Sequence, residues 1–386
     1  MTTRPNDDAV RLPSIDAPTE ADKPAPTTFD PPARRVGFAL VGLGRLTLDE
    51  LLPALLRSRH CRLAAVVSGD RDKALKVARQ HGLETRSVYD YQNFDRIADD
   101  PAVDVVYIVL PNALHEEFTV RAARAGKHVL CEKPMANTAA ECSRMIEACE
   151  RAGRRLMIAY RCHHEPNMLA LKRMLRGQRL GALREFVSSN AQAMGDPSHW
   201  RMKRSLAGGG PLPDIGIYCI NSLRFLTGEE PSEVWGETWS PPDDPRFGEV
   251  EASVRFAMRF PSGLHATCHA GYDSHKSQFF RLMGSEGWAE LDPAYAYRGV
   301  RMRVATVIDG EDVTQVPAVG EDNQFAAEMD HMAECVRSGS RPFASGEEGL
   351  QDMRLIEAIY RSANEARWIA VEAPQGTSRS RPPRES

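Results

Sequence analysis

The sequence predicts an α/β N-terminal domain followed by an α+β C-terminal domain built on a large, mostly antiparallel open sheet. Three observations carry this. The chain has 386 residues, more than one hydrophobic core usually serves. From Arg35 onward, short β-branched runs alternate with longer amphipathic stretches, the pattern of βαβ units feeding a parallel sheet. Beyond Pro166 that texture gives way to long stretches of alternating polarity, the pattern of strands covered on one face.

In the first part, strands are expected over 36–41, 63–67, 103–110, 128–131 and 156–159. Helices are expected over 70–81 and 113–125, ending at Gly82 and Gly126, where a left-handed C-terminal cap favours glycine. In the second part a helix over 167–176 precedes alternating stretches at 185–193, 249–260, 263–272 and 276–283. A helix over 213–226 interrupts them, and helices over 323–337 and 346–366 close the chain. The domain boundaries expected are a Pro-rich arm (1–34), a nucleotide-binding domain (35–160), a sheet domain (161–370) and a tail (371–386). Arm and tail have the composition of disordered segments, and the arm has no apolar core of a secretory signal, so the cytoplasm is the expected location.

Composition excludes several classes of function. A net charge of -4 gives no general attraction to nucleic acid or to an anionic membrane. The apolar runs are strand-sized and far shorter than a membrane span. Eight cysteines without a CxxC pair suit reduced thiols. His265 and His269 have the spacing of a zinc helix but lie in a strand pattern, where four residues span roughly 13 Å, so no metal site is expected.

Chemistry is carried by motifs at strand ends. The first strand runs into Gly42-Leu43-Gly44, two glycines that permit a tight turn and bring backbone amides toward a pyrophosphate; Thr47 stands where a third glycine is usual. The second strand ends at Ser68-Gly69 without a carboxylate at its tip. Ser68, Arg71 and Lys73 suit a 2′-phosphate, while Arg71 and Lys73 read equally as a solvated helix face, and Asp70 as an NAD carboxylate or a helix cap. Leu110-Pro111-Asn112 with His115, and Glu132-Lys133-Pro134, follow the next two expected strands, where ligands of open α/β sheets bind. Finally, the glycine-rich segment 207–211 leads to Asp214 and Tyr218, one helical turn apart, with Trp200 and Arg201 upstream.

In this order the motifs 41–44, 110–112, 132–134 and the glycine-rich segment before Asp214 resemble the Gfo/Idh/MocA oxidoreductases from Arg35 to about Ala366. Segments 67–69, 89–91, 160–163 and 214–218 are most similar to the glucose-fructose and aldose-aldose oxidoreductase branch. The resemblance implies a Rossmann domain holding NADP tightly enough to be recycled in place, with cofactor contacts at Gly42, Leu43, Gly44, Ser68, Lys73, Tyr91, Leu110, Pro111, Asn112, His115, Glu132, Lys133, Arg161, Trp200 and Arg201. It also implies Lys133 and Tyr218 as catalytic, and an arm lying along a neighbouring subunit.

The expected reaction is oxidation of an aldose at C1 to a lactone. Tyr218 would take the hydroxyl proton, Lys133 would lower the tyrosine's pKa, Asp214 would orient Lys133 or the sugar, and Arg161 and Arg201 would hold sugar or phosphate oxygens. His163 and His164 are the reserve bases. The rivals are an ordinary sugar or polyol dehydrogenase that releases its cofactor and a silent NADP- or sugar-sensing regulator. Expected partners are a sugar and a second copy of the chain, as homodimer or homotetramer, since Val254, Phe256 and Met258 alternate on a face expected to lie bare.

Overall fold

The computed structural model describes residues 29–31 and 34–372; the expected tail from 373, and the arm apart from 29–31 and 34, lie outside them. The first layer contains β1 (Val36–Val41), β2 (Cys61–Val67), β3 (Val88–Tyr89), β4 (Val105–Ile108), β5 (His128–Glu132) and β6 (Leu156–Ala159). All pair in parallel, in the spatial order β3-β2-β1-β4-β5-β6. Strand order reverses between β1 and β4, which opens a crevice at their C-terminal ends. Every residue of β1 is buried, as a strand covered on both faces requires. β4 is shorter than the expected 103–110 because Val103 closes a turn onto the Asp100 carbonyl. The two residues of β3 are too few to carry a period.

The second layer contains β7 (Leu183–Ala191), β8 (Glu233–Trp239), β9 (Ser253–Arg259), β10 (His265–Gly271), β11 (Ser277–Gly284), β12 (Gly287–Leu291), β13 (Met302–Ile308), β14 (Glu311–Gln315) and β15 (Ile369–Ala370). Their order is β14-β13-β12-β11-β7-β10-β9-β8-β15, antiparallel except for the parallel pair β7 and β10. Five of these strands, β8 and β12 to β15, were not expected: β8 is interrupted by Gly236, β12, β14 and β15 have five residues or fewer, and β13 alternates in burial only over Met302–Val304.

The helices are α1 (Leu52–Arg57), α2 (Arg71–Gln80), α3 (His115–Arg124), α4 (Ala139–Arg151), α5 (Pro166–Arg176), α6 (Arg204–Ala207), α7 (Ile217–Thr227), α8 (Gln324–Ser338) and α9 (Gly346–Glu365). The helix expected over 213–226 is a π-helical turn, Leu212–Gly216, running into α7. None of the described helices is long and apolar enough to cross a membrane.

Val254, Phe256 and Met258, expected on a bare face, are fully buried. Alternation shows that one face of β9 is apolar without showing which face its own domain covers. Here α7, α9 and the π-helical turn pack on the apolar face, and the bare one carries Arg255, His265, Thr267, Arg281 and Arg303. α9 also packs on α4 and β6, and α8 on α1 and on the 3-10 turn Arg161–His164, so the last two helices bind the layers to each other. All eight cysteines are buried free thiols.

Candidate active site

The crevice is built from strand ends. Gly42 leaves β1 at φ +96°, and an added Cβ would collide with the Val109 carbonyl, so only glycine fits. Thr47, in place of the third glycine, donates its hydroxyl to the Gly42 carbonyl at 2.6 Å and closes the loop with a side chain instead. Gly44 differs: nothing among the described residues approaches an added Cβ there. Its lack of a side chain leaves a cradle for a group from outside, which fits a dinucleotide pyrophosphate with Leu43 beside it.

At the tip of β2, the buried Ser68 hydroxyl accepts from the Asp70 amide at 3.1 Å, and Asp70 accepts from the Lys73 amide at 3.0 Å. Asp70 is therefore the cap of α2. Lys73 is half-buried, Arg71 is exposed, and Tyr91 packs its ring over Gly69. The loop after β4 is tied to the glycine-rich segment, because the Asn112 amide donates to the Ala207 carbonyl at 2.8 Å.

The side chains of three expected cofactor contacts, His115, Glu132 and Arg161, turn inward. His115 is fully buried with its ring nitrogens 2.9 Å from the carbonyls of Leu110 and Pro134, so its imidazole braces two loops. The Glu132 carboxylate turns into the first domain, where the Tyr107 hydroxyl lies 2.9 Å from it and 3.3 Å from Glu328. Burial pushes Glu132 above the usual carboxylate range, despite Lys133 and Tyr107.

Lys133, Asp214, Tyr218 and Arg201 are brought together. The Lys133 ammonium donates to the Asp214 carbonyl at 2.7 Å and to its Oδ1 at 3.3 Å. Asp214 Oδ2 pairs with Arg201 Nε at 3.0 Å and accepts from the Tyr272 hydroxyl at 2.7 Å. Burial alone would raise this carboxyl, but Arg201, Lys133 and Tyr272 together hold it well below its ordinary range. Trp200 is half-buried under the Arg201 guanidinium, 4.5 Å from its ring centre.

Two cations lie over the Tyr218 ring, Lys133 Nζ and the Arg161 guanidinium, each 4.9 Å from its centre. Burial pushes the phenol up, and Arg161 is the strongest influence opposing it. The support expected from Lys133 thus comes first from Arg161. Arg161 does not reach outward to phosphate or sugar: it is buried and donates to the Tyr295 carbonyl and Gln324 Oε1 at 2.7 Å, and to the Ala296 carbonyl at 3.3 Å. Neither reserve histidine joins the group, since His163 is bonded to Asn221 and His164 packs against Phe343. Tyr272 was missed; it ends an alternating stretch, and nothing in its neighbours' identities pairs it with Asp214.

Residues 36–160 match a model described as an oxidoreductase family with an NAD-binding Rossmann fold, and residues 168–290 match the GFO/IDH/MocA C-terminal domain. The crystal structure of aldose-aldose oxidoreductase from Caulobacter crescentus complexed with glycerol is similar at 46% identity and a TM-score of 0.84, covering 88% of this chain and 100% of that one. D-xylose 1-dehydrogenase [NADP(+)] of Haloarcula marismortui is 33% identical, covering 90% of this chain and 95% of its own length. D-xylose 1-dehydrogenase (NADP(+)) 2 of Haloferax volcanii is 30% identical, covering 87% and 99%.

A depressed carboxyl pKa stabilises the fold above the unfolded value of about 3.9 and loses that contribution as pH falls below it. Asp214→Asn leaves Lys133 and Arg201 without their buried counter-charge, so at pH 7 it should cost about 3–5 kcal/mol in urea unfolding. At pH 3 the gap between parent and variant should narrow by about 1 kcal/mol. A gap independent of pH would show that Asp214 ionises as in an unfolded chain.

Proposed function

The chain belongs to the Gfo/Idh/MocA family of oxidoreductases, and on that premise we propose that it oxidises a cyclic aldose at C1 to a lactone, with NADP retained and recycled by reduction of a second sugar. The observation that carries this reading is Tyr218, whose ring centre lies 4.9 Å both from Arg161 and from Lys133, the lysine that follows β5 of the parallel sheet and pairs with the ionised Asp214. The 46% identical aldose-aldose oxidoreductase supports it. When bound, NADP supplies the hydride acceptor and, once reduced, the hydride donor.

The protein's own work is to bind, orient and move a proton. The Gly42–Gly44 loop would cradle the pyrophosphate, while Ser68 and Lys73 would meet the 2′-phosphate, with Tyr91 alongside. Tyr218 takes the C1 hydroxyl proton on its phenolic oxygen and returns it to the second sugar. The two cations offset the cost of a phenolate in a buried place. Asp214 keeps Lys133 and Arg201 at fixed positions, which leaves Arg201 at the crevice edge for a sugar oxygen. A second reading, a dehydrogenase that releases NADPH after each turnover, is favoured by the xylose dehydrogenase relatives. A silent sensor is disfavoured by Lys133 and Tyr218 standing together. Eight free buried thiols support the reducing cytoplasm as its compartment.

The bare face of the nine-stranded sheet supports a homodimer or homotetramer. Arg281, Glu290 and Arg303 are cross-strand neighbours, with Glu290 held by both arginines at 2.9 Å, and Val187, Met283 and Trp288 lie half-buried around them. Met283→Glu should therefore dissociate the assembly in sedimentation without unfolding it. A parent that sediments as a monomer at micromolar concentration would end this reading.

Tyr218→Phe keeps the ring and its packing while removing the acid/base, so it should lower turnover about 10²- to 10⁴-fold with NADP still bound. Lys133→Ala should do at least as much harm. The assay must supply an aldose together with a second sugar as acceptor. Retention of more than about a tenth of parent activity in Tyr218→Phe, less than any general base should cost, would remove Tyr218 from this role.

A further inference from the structure

Arg161 and Tyr218 stand on different elements, and the knot that joins those elements lies behind both. Arg161 opens the 3-10 turn Arg161–His164, and Tyr218 is the second residue of α7. Two residues beyond Arg161, His163 Nε2 lies 2.6 Å from Asn221 Oδ1, three residues beyond Tyr218. The Asn221 amide nitrogen donates to Asp352 Oδ2 at 2.9 Å and to Glu348 Oε1 at 3.4 Å, both on α9.

This fixes the protons. With the amide N–H groups committed to carboxylates, Oδ1 is the acceptor and His163 donates from Nε2. Its Nδ1 then bears no proton, in keeping with a buried position and no hydrogen-bond partner among the described residues. Burial and nearby cations keep the imidazole neutral. One turn further along α7, Arg224 pairs with Asp352 and Glu348 and with Glu230 at 2.7 Å. His163 also stacks on Phe225 at 4.0 Å.

We propose that Asn221 is a positioning residue: by clamping His163 to α7 and α9, it holds the turn that carries Arg161 at a set distance from Tyr218. The inference rests on Tyr218 being the acid/base. The groups facing Tyr218 are Arg161 and Cys162 from the turn, Lys133 and Glu132 from the end of β5, and Tyr295 and Tyr297 from the segment after β12. The only cation on the clamped turn that faces Tyr218 is Arg161, so loosening the clamp weakens the support for phenolate and leaves Lys133 in place.

The test is the pH dependence of kcat for Asn221→Ala, His163→Leu and His163→Gln, measured with both sugars supplied. Weaker support raises the pKa of Tyr218, so in Asn221→Ala and His163→Leu the acid limb should move about one pH unit upward. At a pH below that limb kcat should then fall about tenfold, with KM for the sugars within about twofold of the parent. His163→Gln retains an N–H donor toward Asn221 and should keep the parent's limb. An acid limb in Asn221→Ala at the parent's pH, with only the melting temperature lowered, would overturn the inference. If Asn221→Ala fails to fold, the acid limb of His163→Leu decides between the same two outcomes. Tyr218→Phe in the same assay separates the two levels: an active Tyr218→Phe sinks the acid/base reading, whereas an inactive one beside unshifted Asn221 and His163 variants sinks the clamp alone.

Discussion

The buried carboxylate of Asp214 is the charge on which the rest of the site is built. It lies in a π-helical turn of the second domain, yet its partners come from three other places: Lys133 after β5 of the first domain, Arg201 before α6, and Tyr272 after β10. Each ion alone would cost several kcal/mol to bury, and it is their mutual satisfaction that makes the arrangement tolerable. One consequence is architectural. The ion pair between Lys133 and Asp214 bridges the parallel sheet and the antiparallel one at the mouth of the crevice, where a dinucleotide and a sugar would have to meet.

The second consequence is electrostatic. With Lys133 anchored, its charge is held 4.9 Å from the centre of the Tyr218 ring, and Arg161, whose guanidinium is tied to Tyr295, Ala296 and Gln324, is held at the same distance. Burial opposes ionisation of the phenol, and Arg161 favours it. Neither cation is free to wander, so the balance is set by the fold rather than by solvent. The polar knot of Asn221, Asp352 and Arg224 then continues the same logic one turn deeper, because it holds the second cation's backbone.

Much of the frame was legible. β1 ends where Gly42 begins, and the alternation beyond Pro166 does mark an antiparallel sheet. Three of the strands that went unseen have no period to detect: β3 and β15 are two residues long, and β14 holds one apolar residue, Val313, among five. The bare and covered faces of β9 were interchanged because alternation is symmetric with respect to them until a helix is placed. Lys133, Asp214 and Tyr218, which the fold brings together, and the glycine loop all sit in motifs. His115, Glu132 and Arg161 sit in motifs too, but their side chains turn inward, a choice made by partners such as Tyr107 and Gln324 that are remote in sequence. Tyr272 belongs to the site through a contact that only the folded register creates.

The central claim is that this constellation moves hydride between two sugars without letting NADP go, and a spectral titration of the protein as purified tests it most directly. Addition of an aldose alone should produce the near-ultraviolet band of reduced nicotinamide up to one equivalent per subunit and no further, and a second sugar should then abolish it. Growth of the band beyond one equivalent when NADP is supplied with the aldose alone would contradict the account and establish a dehydrogenase that releases its cofactor.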